Sequence, residues 1–598
     1  MGKFNLKIGI SIFVLLAVSS VIFWQKTQQW NTSDISEINQ STLDNNNRVA
    51  TASVSANISL QEPIKTTVQS SFWNWFTKKE NNKKDRQATR ENNKTSKSKQ
   101  SSKGISAQTT TLVSQQLPFG ISNPYDQKDL ETKAKLPEVL KDLGLRKDEN
   151  GVAGFIVDEI ARKHTEAVCN DTTCQKYDFT LAKDLIDLVV GQGKANLWVV
   201  IKESSNYKFT DGKIRSDGET YLLDGPISRQ AYKDYLTALV NYVNTYGRNV
   251  SGNSGWHVIN WNLSNEVYSE YREVFGKDDK ATTAYTNFVI DSSEILRKLS
   301  PQSKIVLAGA GSTTNLATGH GEFYKQVFSN LKKANLGYEP FDYWESHWFG
   351  RTGNYKTNES VNAYGVKDFI QFLKDNGYGD KGFVIRAGAT YSGQDLQERK
   401  GFMDNYQSEQ DQASFLVKRF VYNLGAGVKY IPWSTIYERN KYQGETHVHF
   451  QYTSLIYDGY PDGVSKNQKC VEGWLPCPDP GKDVKKLSYY AYKKLVETLK
   501  GSDWDNIQTI QEKDDVYIYK FTKKSDIAWV VWNDNSQEKQ ITISGIPSNQ
   551  IKITEAIPKY ESGKEVTSYN TAFNTETRSI SEGKTSITLG KIPVLIEL

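Results

Sequence analysis

Asn265 and Glu266 stand side by side at the end of the run Trp261-Asn262-Leu263-Ser264-Asn265-Glu266. A carboxyl there can hand a proton to a departing oxygen, and the amide beside it can hydrogen-bond a neighbouring hydroxyl. In Phe341-Asp342-Tyr343-Trp344-Glu345-Ser346-His347-Trp348, Glu345 and His347 share one strand face, because strand side chains alternate with a period of two. Phe383-Val384-Ile385-Arg386-Ala387-Gly388 carries a guanidinium instead, which stays charged and can neither attack carbon nor accept a proton. His447 and His449 also share a face, but no carboxylate at helpful spacing accompanies them, so a metal is not expected.

The cysteines form two close pairs, Cys169 with Cys174 and Cys470 with Cys477, which suits two short disulfide-closed loops outside a reducing cytosol. A zinc site would need the distant pairs to meet, and neither has a two-residue gap. The formal charge of +5 arises at the front of the chain, where residues 1–115 hold 15 Lys/Arg against 7 Asp/Glu. The remainder is mildly acidic, which excludes nucleic acid as the expected partner.

These chemical residues need elements to hold them. Residues 8–24 are uncharged and mostly apolar behind Lys3 and Lys7, an export signal with its positive end inside. An uncleaved transmembrane anchor with a cytoplasmic tail of residues 1–7 is expected; Ala17-Val18-Ser19 loosely resembles a cleavage site and leaves secretion as the alternative. Residues 25–115 read as a disordered polar linker, with ten basic residues against three acidic ones in 78–103. From about residue 116 to 500, strand-like runs at 195–201, 258–262, 305–308, 341–347, 383–387 and 428–433 alternate with helical stretches such as 129–143, 283–299, 410–424 and 487–499. Ser228 is the expected cap of another helix. That alternation over this length predicts an α/β fold, a (β/α)8 TIM barrel. Residues 501–598 change to short strands and predict a C-terminal antiparallel, sandwich-like β-domain, with Trp529 and Trp532 in its core.

With these motifs in view, the sequence resembles the clan of retaining (β/α)8-barrel glycosidases, cellulase- and xylosidase-like, whose catalytic glutamates close strands four and seven. The likeness covers residues 117–500 and continues into the β-domain. It rests on Asn265-Glu266, on the run through His347, on Val428-Lys429-Tyr430-Ile431-Pro432-Trp433, and on Tyr489-Tyr490-Ala491-Tyr492 before the β-domain. The resemblance implies Glu266 as acid/base, Asn265 and His347 as substrate-binding residues, and Trp433 as the floor under a sugar ring. It also implies a glutamate where this chain has Arg386, and an arginine on strand two for which Arg146 is the nearest candidate. Retaining hydrolysis needs a second carboxylate about 5 Å from the acid. Glu345 is a possible surrogate but would lie one layer deeper, and Ile553-Thr554-Glu555 matches the missing motif only by its letters, since it falls in the β-domain.

Two readings follow, an altered glycoside hydrolase and a catalytically inactive carbohydrate-binding protein. Either takes carbohydrate as partner and needs no cofactor. The membrane, through residues 8–24, and an anionic cell-wall polymer, through the basic linker, are further expected partners.

Overall fold

The computed structural model describes residues 116–598 apart from 125–129, 171, 217, 222–224, 277, 312–313, 350–353, 359–362, 393–406, 439–452, 458, 460–480 and 525, all within one compact unit. The export run, the linker, Cys470, Cys477, His447 and His449 lie outside the described residues. Among the described residues, no helix is long and apolar enough to cross a membrane.

Eight strands make one parallel sheet: β1 (Phe119–Ser122), β2 (Phe155–Ala161), β3 (Asn196–Lys202), β4 (Asn260–Leu263), β5 (Lys304–Ala310), β6 (Tyr343–Phe349), β7 (Gly382–Ala389) and β8 (Ile431–Trp433). Their order is β7-β6-β5-β4-β3-β2-β1-β8. The sheet closes between β7 and β8 through Lys429 N–H to the Phe383 carbonyl (3.0 Å), Ile385 N–H to the Tyr430 carbonyl (2.9 Å) and Ser434 N–H to the Gly388 carbonyl (3.1 Å). Strands buried on both faces need near-continuous apolar sequence, and Leu197 through Ile201 are fully buried. Alternate residues point inward, where Phe155, Val157, Trp198, Val200, Val306 and Val384 form an apolar plug with Ile259, Tyr343 and Tyr430 against it. Toward the strands' carboxyl ends the same faces turn polar, with Glu159, Lys202, Glu345, His347 and Arg386.

The helices are α1 (Leu130–Asp142), α2 (Thr180–Ile186), α3 (Pro226–Ser251), α4 (Val267–Phe275), α5 (Asp278–Leu299), α6 (Gly319–Ala334), α7 (Val366–Asp375), α8 (Glu409–Gly425) and α9 (Leu487–Leu499). The cap expected at Ser228 is not one: Pro226 already sits in the first turn of α3, after Gly225. Asp211 supplies the acceptor instead, taking hydrogen bonds from Ile227 N–H (2.8 Å) and Ser228 N–H (2.7 Å). Ser408 caps α8 and shares a capping box with Asp411. Strand β2 is absent from the expected strands, and Arg146 precedes it; the arginine that follows β2 is Arg162, buried against Glu166 at 2.7 Å. Glu166 begins a hairpin whose Cys169 and Cys174 are joined by a disulfide.

After α9 come β9 (Gln508–Lys513), β10 (Val516–Thr522), β11 (Ile527–Asn533), β12 (Lys539–Ser544), β13 (Gln550–Glu555), β14 (Thr575–Ser579), β15 (Lys584–Leu589) and β16 (Val594–Glu597). They form an antiparallel sheet ordered β9-β10-β11-β16-β13-β14 and a separate β12–β15 pair, around Val516, Ile518, Trp529, Val531, Ile543, Ile551, Ile587 and Ile596. The other face of the sheet meets the barrel. Trp532 is fully buried, stacked on Tyr517 (5.1 Å) and Tyr519 (5.4 Å), and its indole N–H donates to the Tyr355 hydroxyl (2.9 Å).

Candidate functional site

Strand β4 gives way to a turn in which Ser264 (φ 75°) and Glu266 (φ 40°) both adopt the left-handed backbone that non-glycine residues rarely hold. Such strain persists only where surrounding structure enforces it, and it concentrates at functional sites. Here the turn ends β4 early and starts α4, with Glu266 at the helix N-cap and its side chain 47% exposed at the barrel mouth.

His347, at the far end of β6, reaches Glu266 with Nδ1 2.7 Å from Oε1. On the ring's other side, Arg386 of β7 donates to His347 Nε2 from Nε (3.0 Å) and Nη2 (2.6 Å). The same Nη2 donates to Asn265 Oδ1. Below this layer Glu345 is fully buried, accepting a hydrogen bond from Gly309 N–H (2.9 Å), with Oε1 3.8 Å from Arg386 Nε and Oε2 3.9 Å from His347 Nε2. The hydrogen bond from His347 comes first in holding Glu266 down to about 2, with the charge of a protonated His347 ring next; burial opposes them, and the charges of Arg386 and Lys202 add smaller contributions. Glu266 is therefore an ionised acceptor throughout the neutral range.

Four residues beside this cluster escaped the sequence reading. Lys202 Nζ, at the end of β3, lies 3.8 Å from Glu159 Oε2 and 3.7 Å from Glu270 Oε1. Burial works against its charge, yet Glu159 and Glu270 outweigh it and keep the Lys202 pKa raised. Burial pushes Glu270 up to about 7, with Lys202 opposing. Burial also raises Glu203, whose Oε1 accepts from the Tyr271 hydroxyl (2.7 Å) and the Ser264 hydroxyl (3.1 Å). A signal existed for the strand-three pair: Lys202-Glu203 follows the apolar run Leu197–Ile201 just as Asn265-Glu266 follows β4, which is where barrel chemistry gathers.

Thus Asn265, Glu266, His347, Arg386 and Glu345 are brought together, the last one layer deeper. Trp433 is not among them. It is fully buried, its indole N–H donates to the Thr453 carbonyl (2.8 Å), and its ring meets Phe420 of α8 edge-on at 6.2 Å. Strand parity is the reason: Tyr430 joins the interior plug, so Trp433, three residues on, takes the outer face. Glu555, in the β-domain, accepts a hydrogen bond from Asn574 (2.7 Å), away from the mouth.

No protein-family model matches the chain, and no curated protein matches it. Among solved structures, it is similar to a GH39 β-xylosidase from Caulobacter crescentus at 14% identity, covering 81% of this chain and 96% of that one, with a TM-score of 0.47. It is similar also to an α-L-arabinofuranosidase from Thermotoga maritima at 9% identity, covering 80% and 96%, TM-score 0.47. A third is CelM2, a bifunctional glucanase-xylanase from a metagenome library, at 10% identity, covering 80% and 95%, TM-score 0.47. Likeness at this level transfers no residue role; those come from the geometry. What the cluster offers a ligand is an open carboxylate at Glu266, an amide at Asn265 and an ammonium at Lys202, three groups suited to hydroxyl-rich molecules.

Proposed function

We propose that the chain is a glycosidase-type barrel that binds oligosaccharide at its mouth without assembling the two-carboxylate machinery of retaining hydrolysis. The observation that carries this is the Arg386–His347–Glu266 chain. A guanidinium stands where the glycosidase resemblance calls for the nucleophile, and the carboxyl in the acid/base position is held ionised at about 2, so it has no proton to donate at neutral pH. Glu345 does not substitute in this reading, because it is buried below His347 and bonded to the Gly309 amide. The reading extends to location: residues 8–24 act as a membrane anchor, the barrel lies outside, and the basic linker meets anionic wall polymer.

The test is a side-by-side comparison of wild type and Arg386→Glu. Wild type binds one or more of xylotetraose, cellotetraose and arabinotetraose by calorimetry and is nearly inert on aryl glycosides, since losing a covalent nucleophile costs roughly 10⁴-fold or more in turnover. Arg386→Glu gains measurable retaining hydrolysis. Robust wild-type hydrolysis that survives Arg386→Ala but disappears in Glu345→Gln would overturn the proposal, as would the absence of binding to every oligosaccharide. Recovery of full-length protein in the membrane fraction checks the anchor; a soluble product with a new amino terminus near residue 20 refutes it.

A further inference from the structure

We propose that Arg386 is a positioning residue that locks the His347 tautomer and the Asn265 amide orientation, so that the mouth presents a fixed donor–acceptor pair to a vicinal diol. The nitrogens of a guanidinium all donate and none accepts, so any atom that it hydrogen-bonds must be an acceptor. Nε and Nη2 of Arg386 both approach His347 Nε2, at 3.0 and 2.6 Å. Nε2 therefore carries no hydrogen, and the hydrogen of the ring sits on Nδ1, 2.7 Å from Glu266 Oε1. Nη2 also fixes Asn265, whose Oδ1 and not Nδ2 must face the guanidinium.

Two consequences meet at the surface. Asn265 Nδ2 makes no hydrogen bond among the described residues, so the amide is left with a donor to offer. Glu266, with one oxygen held by His347, keeps an open acceptor on a side chain 47% exposed. A donor and an acceptor on consecutive residues match two adjacent sugar hydroxyls, one accepting from Asn265 and the other donating to Glu266. A buried lysine in place of Arg386 could not reproduce this, because one ammonium lacks the planar fork that reaches both partners. The burial of Arg386 (6% exposed) keeps competing water from the lock. The ligand side of this inference rests on the carbohydrate-binding reading; the lock does not.

The lock is read without any sugar. In ¹⁵N-histidine-labelled protein the chain's 6 histidines give separate long-range ¹H–¹⁵N patterns, and His347→Gln identifies the one in question. Wild type is expected to show Nδ1 protonated and Nε2 bare at neutral pH, and Arg386→Met to shift that pattern to an average of both tautomers or to Nε2–H. Should Arg386→Met fail to fold, Arg386→Ala with added methylguanidinium restores the wild-type pattern, while sodium at equal ionic strength does not. A protonated Nε2 in wild type, or a pattern unchanged in a folded Arg386 variant, overturns the lock. Arg386→Met is further expected to weaken the best-bound tetraose about tenfold, and equal affinity overturns the diol assignment. Failure of wild type to bind any tetraose overturns the carbohydrate reading and the diol with it, while the histidine pattern still decides the lock.

Discussion

The barrel mouth and the seam between barrel and β-domain both bury charge, and they treat it in opposite ways. At the seam, Asp534 accepts from the Tyr355 hydroxyl (2.7 Å) and pairs with Lys356 (3.0 Å) and Lys418 (3.1 Å), so every partner is at hydrogen-bond range. Trp532 completes the arrangement through Tyr355. At the mouth, Arg386 gives its hydrogen bonds to the His347 imidazole and the Asn265 amide, and its carboxylate neighbour Glu345 stays at 3.8 Å. Glu345 Oε2 has no hydrogen-bond partner among the described residues, and Lys202 holds Glu159 and Glu270 only at 3.8 and 3.7 Å. A seam built for stability satisfies its groups, whereas the mouth leaves one buried carboxylate oxygen of Glu345 unsatisfied among the described residues.

The largest effect that sharpens this contrast belongs to Trp532→Ala. Removing a fully buried indole that stacks on Tyr517 and Tyr519 is expected to cost about 3–5 kcal/mol in denaturant unfolding. Oligosaccharide binding by the protein that remains folded is unchanged; a parallel loss of binding would mean that seam and mouth are not separate devices.

Asp534→Asn comes next, at about 2–3 kcal/mol, because it leaves Lys418 half-paired in a mostly buried site. The seam keeps the Asp534 pKa low in spite of burial, chiefly through Lys418, with Tyr355 and Lys356 contributing. A carboxyl depressed in the folded state stabilises above its unfolded pKa and loses that contribution as pH falls through the folded value. Wild type should thus lose stability on acidification below about pH 4 in a way that Asp534→Asn does not share. Parallel pH–stability curves for the two proteins would break the comparison from the seam side.

Glu203→Gln gives the smallest effect and the opposite sign. Burial raises the Glu203 pKa, so the carboxyl contributes fully only below its unfolded value, 4.5, and becomes a liability as pH rises through its folded one. Glutamine keeps an oxygen for the Tyr271 and Ser264 hydroxyls without the buried charge. The variant is expected to melt higher than wild type at alkaline pH and to converge with it near pH 4. A variant that is less stable than wild type at every pH would show that Glu203 is held as a needed charge.

Strand runs from 195 onward could be read from the chain because strands buried on both faces demand unbroken apolar sequence, and β3 and α9 fall where that pattern puts them. Strand β2 could not, since Asp158 and Glu159 interrupt its apolar letters. The exposed strands β9 and β14 were equally illegible, being polar on most positions. At the site, Glu266 and Asn265 stand out by their place after an apolar strand, and Lys202 and Glu203 carry the same signature without an amide beside the carboxyl to mark them.

What the sequence alone determined, then, is the strands with unbroken apolar runs and which of their residues share a face, because apolar runs and the period of two are local properties of the chain. The meeting of Asn265, His347 and Arg386 joins the turn after β4 to strands β6 and β7, with donors and acceptors assigned only once a guanidinium, an imidazole and an amide stand within hydrogen-bond range. Only tertiary structure decided that Trp433 faces α8 and not the mouth, since strand parity gives two faces but barrel closure decides which of them is inside.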